Sequence, residues 1–221
     1  MDKETVTGHE EPLGEAVPVE DLAAELARIG YLRKTNNANN EVYIFDHHSS
    51  PLLMHEIGHA LGLGHGGNYN GSAIFGTDNF YLNDSLAYSI MSYMQAQNDE
   101  FSGSIVNTFV NASFRYMQTA AIADIIAIQY MYGDNSNTRT GNTTYGYNSN
   151  TGNAALDQAV SAGSSMFFTV YDDGGIDTLD FSQTGVSQII RLAEEGFSNV
   201  LGGMMNVSIA RGTVVENAIG G

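Results

Sequence analysis

One short stretch carries side chains of the types and spacing needed to hold a metal ion and use it. His55, Glu56, His59, Gly62 and His65 follow one another as His-Glu-x-x-His-x-x-Gly-x-x-His. On a helix, His55 and His59 lie one turn apart on one face, so both imidazoles can reach a single ion. Glu56 is offset from that face, which suits a base acting on water rather than a ligand. Gly62 has no Cβ and can take a positive φ, stop the helix and turn the chain so that His65 reaches the ion from outside. Three neutral nitrogens leave a fourth position open, the mark of a catalytic rather than a structural zinc site. Chance histidines on a core helix would need neither the glycine nor the third histidine.

The elements that must position these residues read as follows. Ser50-Pro51 fits the N-cap and first turn of the histidine-bearing helix. Before it, residues 1–17 form a loose acidic leader. Val19, Leu22, Leu26 and Ile29 make a helical stripe stopped by Gly30, and Val42–Phe45 reads as a strand. His47 and His48 read as a solvated loop pair, because the centre already has its histidines. Residues 66–84, rich in Gly, Asn and Tyr, read as a loop over the site. Met117 to Met131 predicts a buried helix ended by Gly133. Residues 134–153 are dominated by Asn, Thr and Gly. Runs with β character follow at Met166–Tyr171, Ile176–Phe181, Gln188–Leu192, Val207–Ala210 and Thr213–Val215. The expected organisation is a poorly matched leader at 1–40, an α+β domain at 41–150 and an all-β segment at 151–221.

Bulk composition narrows the partners. The 221 residues, 43% of them hydrophobic, can bury a sizeable core. A formal charge of −17, from 25 acidic against 8 basic residues, repels nucleic acid and anionic membranes, so neither is an expected partner. No apolar run is long enough to span a bilayer, and no N-terminal signal peptide is seen. There is no cysteine, so no disulfide can staple the fold. Bound calcium is an alternative staple that the many carboxylates could hold.

With the zinc signature, three further stretches make the chain resemble the serralysins, the secreted bacterial branch of the metzincin metalloproteases (peptidase family M10). Tyr88-Ser89-Ile90-Met91-Ser92-Tyr93 is similar to the family's Met-turn. Residues 122–133, continuing to 150, look like the helix that closes its catalytic domain. Residues 170–181 and 215–221 resemble the start of its calcium-binding β-roll. The resemblance implies a metzincin-like catalytic domain followed by the start of that β-roll. It implies zinc on His55, His59 and His65, Glu56 as general base, Met91 as an apolar floor, and Tyr93 as a displaceable zinc ligand that stabilises the oxyanion. It also implies one calcium ion held by Arg139, Gly141, Thr143, Asp172, Gly174 and Asp177, with Arg139 and Gly141 serving through carbonyls. A second ion would involve Gly175, Asp177 and Glu216. The implied function is that of a secreted zinc metalloendopeptidase acting on proteins or peptides.

This sequence departs from the family's pattern in four places. Gly66 stands where the family usually has proline, and Val214 where it has threonine. The chain stops at Gly220-Gly221, where the family's repeats and terminal secretion signal would follow. Only 54 residues precede His55, whereas the family has a longer segment that forms a substrate-aligning sheet. That leaves open a non-catalytic binding module stabilised by zinc and calcium. A third reading is an astacin-like or matrixin-like metzincin, against which the cysteine-free, Asn/Gly/Asp-rich β segments weigh.

Overall fold

In a computed structural model of the chain, the structure describes residues 50–96, 106–113 and 116–221. The expected leader, the stripe at 18–29, the strand at 42–45 and His47 and His48 lie outside the described residues.

Helix α1 spans Ser50–Ala60, with Pro51 in its first turn, where a missing N–H costs nothing. Its exit is closed by two hydrogen bonds, from Leu63 N–H to the Gly58 carbonyl and from Gly62 N–H to the His59 carbonyl. Gly62 sits between them at φ 99°, the left-handed conformation this closure requires.

Helix α2 spans Ile122–Tyr132, shorter at its start than the expected Met117–Met131. Its apolar stripe predicts helix throughout, but tertiary pairing takes the first residues. Tyr116–Met117 (β3) pairs in parallel with Met166–Phe167. The side chains of Gln118 and Thr119 then accept the N–H groups of Phe167 and Thr169. Helix therefore begins only where Asp124, in the first turn, accepts the Ala121 N–H at 2.9 Å. Gly133 ends it at φ 85°.

Short strands β1 (Gln95–Ala96) and β2 (Val106–Asn107) pair in parallel. Beyond α2, the chain winds between two sheets. Strands β4 (Thr144–Gly146), β6 (Thr178–Phe181) and β9 (Asn217–Gly220) form one parallel sheet. Strands β3, β5 (Met166–Val170) and β8 (Val207–Ile209) form the other, with β7 (Phe197–Ser198) antiparallel on its edge. Apart from the antiparallel pair β7–β8, successive strands alternate between the sheets, so the path is a coil in which each turn stacks on the last. Strand β5 lies between two cores and is buried along its whole length. Phe167 points into a core with Met91, Ile122 and Ile126, while Met166, Phe168 and Val170 point into one with Leu179, Phe181 and Ile209.

Several strand expectations are corrected. In the expected run Gln188–Leu192 only Ile189 bridges, to Asn199. Thr213–Val215 is not a strand, because the Thr213 hydroxyl is tied to the Asp172 backbone and pairing with β6 begins at Asn217. Strand β4 lies in the Asn-, Thr- and Gly-rich stretch 134–153, where no strand was expected, and its one large apolar anchor is the buried Tyr145. The C-terminal part is not all-β: helix α3 (Ala154–Asp157), capped by the Asn153 side chain, and a 3₁₀-helix (Ala159–Ser165) precede β5.

Candidate metal centre

Helix α1 and its exit turn bring the three histidines together. Nε2 of His65 lies 3.0 Å from Nε2 of His59 and 3.3 Å from Nε2 of His55. Each opposite nitrogen is tied to a backbone carbonyl: His55 Nδ1 to Ile90 at 2.8 Å, His59 Nδ1 to Leu63 at 2.9 Å, and His65 Nδ1 to Tyr69 at 2.7 Å. A carbonyl only accepts, so each Nδ1 carries the proton and each Nε2 presents a lone pair. Three lone pairs facing one another repel unless a cation lies between them. Ligands about 2.0–2.1 Å from a tetrahedral ion stand roughly 3.3 Å apart, so the spacing fits zinc. Among the described residues, this is the one group of three or more His, Cys, Asp or Glu with ligand atoms close enough to share an ion.

Burial pushes the His55 and His65 imidazoles below their ordinary pKa, which keeps them neutral and ready to ligate. Their carbonyl partners oppose that shift, and the neighbouring His59 reinforces it. Glu56 projects from the same turn of α1 as His55, and its charge acts on both His55 and His65.

The Met-turn segment lies beneath. Met91 is fully buried, and Gly58 of α1 faces it so closely that a Cβ would stand 2.5 Å from the sulfur. The Tyr93 ring lies 4.6 Å from that of His65 and 5.9 Å from that of His55. Its hydroxyl accepts the Gly71 N–H at 3.4 Å, from the loop expected over the site. The start of α2 holds this segment in place. Buried Asp124 accepts the Ser89 hydroxyl at 2.7 Å and the Ile90 N–H at 2.8 Å, and the Ile90 carbonyl in turn accepts His55.

The expected calcium residues gather where β4, β6 and β9 begin. Asp177 Oδ1 accepts the Thr143 N–H at 2.7 Å, and the Asp177 N–H donates to Glu216 at 2.7 Å. The Gly141 carbonyl accepts the Thr143 hydroxyl, and Gly175 packs directly on that carbonyl. Asp172 accepts the Gly174 N–H and the Tyr145 hydroxyl. The Arg139 side chain donates to the Tyr171 carbonyl and to the Tyr145 hydroxyl, the same hydroxyl that donates to Asp172. Asp177 Oδ2 is buried without a hydrogen-bond partner. Burial pushes the Asp177 carboxyl up to about 6, against the pull of the Thr143 N–H and reinforced by the charges of Asp172 and Glu216. A buried orphan oxygen among like charges fits a hard cation.

Sequence reasoning missed Tyr69, which packs directly on His65, and Asp84 and Asp124, which touch the centre's supports. Asp124 had one local signal, an acid within the apolar run Ile122–Ile128. Tyr69 and Asp84 had none. Burial pushes Asp84 up to about 6, opposed by hydrogen bonds from Ser92 and Tyr69.

Comparison with known proteins places two families on the chain. Residues 49–145 match the family described as "Met-zincin", and residues 134–221 match "Peptidase M10 serralysin C terminal". The chain is 43% identical to "Metallopeptidase AprA" of Pseudomonas marginalis, over 86% of this chain and 39% of that protein. It is 42% identical to "Serralysin B" of Dickeya chrysanthemi, over 80% of this chain and 35% of that protein. It is 43% identical to "Serralysin" of Proteus mirabilis, over 76% and 33%. The chain thus spans between a third and two-fifths of the length of these relatives.

Proposed function

The chain is a serralysin-like metzincin of the M10 peptidases, and on that premise we propose that it is a zinc-dependent endopeptidase hydrolysing peptide bonds of proteins. The observation that carries this reading is the convergence of three Nε2 lone pairs, each fixed from behind by a carbonyl.

His55, His59 and His65 would hold the ion, with Tyr93 as a further, displaceable ligand. Bound zinc supplies Lewis acidity, lowering the pKa of water to about 7 and polarising the scissile carbonyl. Glu56 accepts the proton of the attacking water and delivers it to the leaving amine, closing the proton balance on one carboxylate. The Tyr93 hydroxyl would donate to the developing oxyanion. Arg139, Gly141, Thr143, Asp172, Gly174, Gly175, Asp177 and Glu216 would hold calcium, which neutralises the facing carboxylates and ties together three turns. The substrates are proteins or peptides, met outside the cell. Among the described residues no helix is long and apolar enough to cross a membrane.

The test is cleavage of an unfolded protein by the purified chain with zinc and calcium. Turnover is expected, abolished by a chelator and by Glu56→Ala, which should retain zinc, while His59→Ala should lose the ion. Undiminished cleavage by Glu56→Ala would sink the general-base assignment. Zinc binding without turnover would favour the metal-stabilised binding module.

A further inference from the structure

His65 is the ligand with the weakest local support. His55 and His59 ride on α1, whereas His65 lies beyond the exit turn, where no helix fixes its direction. Its orientation comes from Tyr69. The Tyr69 carbonyl accepts Nδ1 at 2.7 Å, and the Tyr69 ring stacks on the imidazole at 5.2 Å and 20°. The same ring lies 4.9 Å from that of Tyr93. Tyr69 is itself anchored through its hydroxyl, which accepts the Gly66 N–H at 3.1 Å and donates to Asp84 at 3.0 Å. Asp84 is 1% exposed, and its carboxylate lies so close to Gly66 that a Cβ there would stand 2.6 Å from Oδ1. Ser92, between Met91 and Tyr93, also acts on this carboxylate, opposing the upward push of burial on its pKa. Residues 65–69 are thus closed into a ring at both ends and tied to the Met-turn segment through one buried acid.

We propose that Tyr69 and Asp84 are positioning residues of the metal centre, with the Asp84 carboxylate fixing the Tyr69 phenol and Tyr69 fixing both the imidazole of His65 and the ring of Tyr93. The proposal rests on the zinc reading above. A buried carboxylate accepts strong, directional hydrogen bonds, and groups behind a metal-bound histidine set its orientation and basicity. Tyr69 does this for two groups of the centre at once. His65 and Tyr93 therefore share one support.

The experiment measures zinc affinity by competition with a chelator, together with the visible spectrum of the cobalt-substituted chain, which reports ligand geometry. Tyr69→Phe keeps the ring and the carbonyl but removes the hydroxyl; Asp84→Ala removes the acceptor; Asp84→Asn restores an oxygen that can accept. Melting in calcium shows which variants fold. Tyr69→Phe and Asp84→Ala should each weaken zinc by about 10- to 100-fold and alter the cobalt bands, with Asp84→Asn recovering much of the loss. Wild-type affinity and spectrum in either of the first two variants, once folded, would overturn the proposal. If the unmutated chain itself bound no zinc, the underlying zinc reading would fall, and the proposal with it.

Discussion

Each of the three histidines is held by a different part of the chain. His59 is fixed by its own exit turn, His55 by the Ile90 carbonyl across the core, and His65 by a loop five residues long. The first and third arrangements each span four residues, and only the second reaches across the chain. At the second candidate site, Asp177 as a calcium ligand would set how calcium and protons compete. Folded and free of calcium, it holds its proton up to about 6, well above the ordinary aspartate value of about 4. Between those values the unfolded chain has released the proton and the folded chain keeps it. Stability from this group is therefore greatest at low pH and is lost as pH rises through about 6. Calcium favours the ionised form and offsets that loss. The rise in melting temperature caused by calcium should be larger at about pH 7.5 than at about pH 5. Equal shifts at both would remove Asp177 from the calcium site.

At the scale of elements, α1 is positioned by what it packs against more than by its own propensity. Gly58→Ala would gain about 1 kcal/mol of helix propensity. The new Cβ would meet the sulfur of Met91, which is fully buried, and overpacking of that kind costs about 1–3 kcal/mol. The expected result is a net loss of stability in urea together with weaker zinc binding; a raised midpoint would show that Met91 can move aside. Asp124 joins α2 to the Met-turn by accepting from Ser89, Ile90 and Ala121. Asp124→Ala leaves these donors without that acceptor inside the core, at about 1–3 kcal/mol for each one stranded. It should lower the urea midpoint more than Gly58→Ala does. It should also weaken zinc binding, because Ile90 holds His55. Stability close to wild type would mean that the Met-turn is held by other contacts.

Two cores meet along β5, and the coil that follows α2 begins and ends at the acidic cluster. Strand β4 enters from Thr143, β6 from Asp177 and β9 from Glu216. Calcium there would tie three consecutive passes of the coil. A ligand at a hundred times its Kd stabilises by about 2.7 kcal/mol, equivalent to roughly 5–10 °C for a chain of this size. Chelating calcium should lower the melting temperature by that amount, read by circular dichroism; no change would remove calcium as a staple of this part.

The local chemistry of the centre was legible in the sequence because it is carried by covalent spacing. Two imidazoles one helical turn apart and a glycine that must take a positive φ follow from residue order alone. The placing of Met91 against α1 and the gathering of Asp172, Asp177 and Glu216 were expected only through resemblance to a family. Strand positions were less so. Thr144–Gly146 has no aliphatic pattern, and 116–119 leaves the helical stripe because β5 offers it hydrogen bonds. What only the tertiary structure decided is the support of the centre. Tyr69, Asp84 and Asp124 act through hydrogen bonds to residues up to 35 positions away, and no local pattern encodes a buried carboxylate's distant donors.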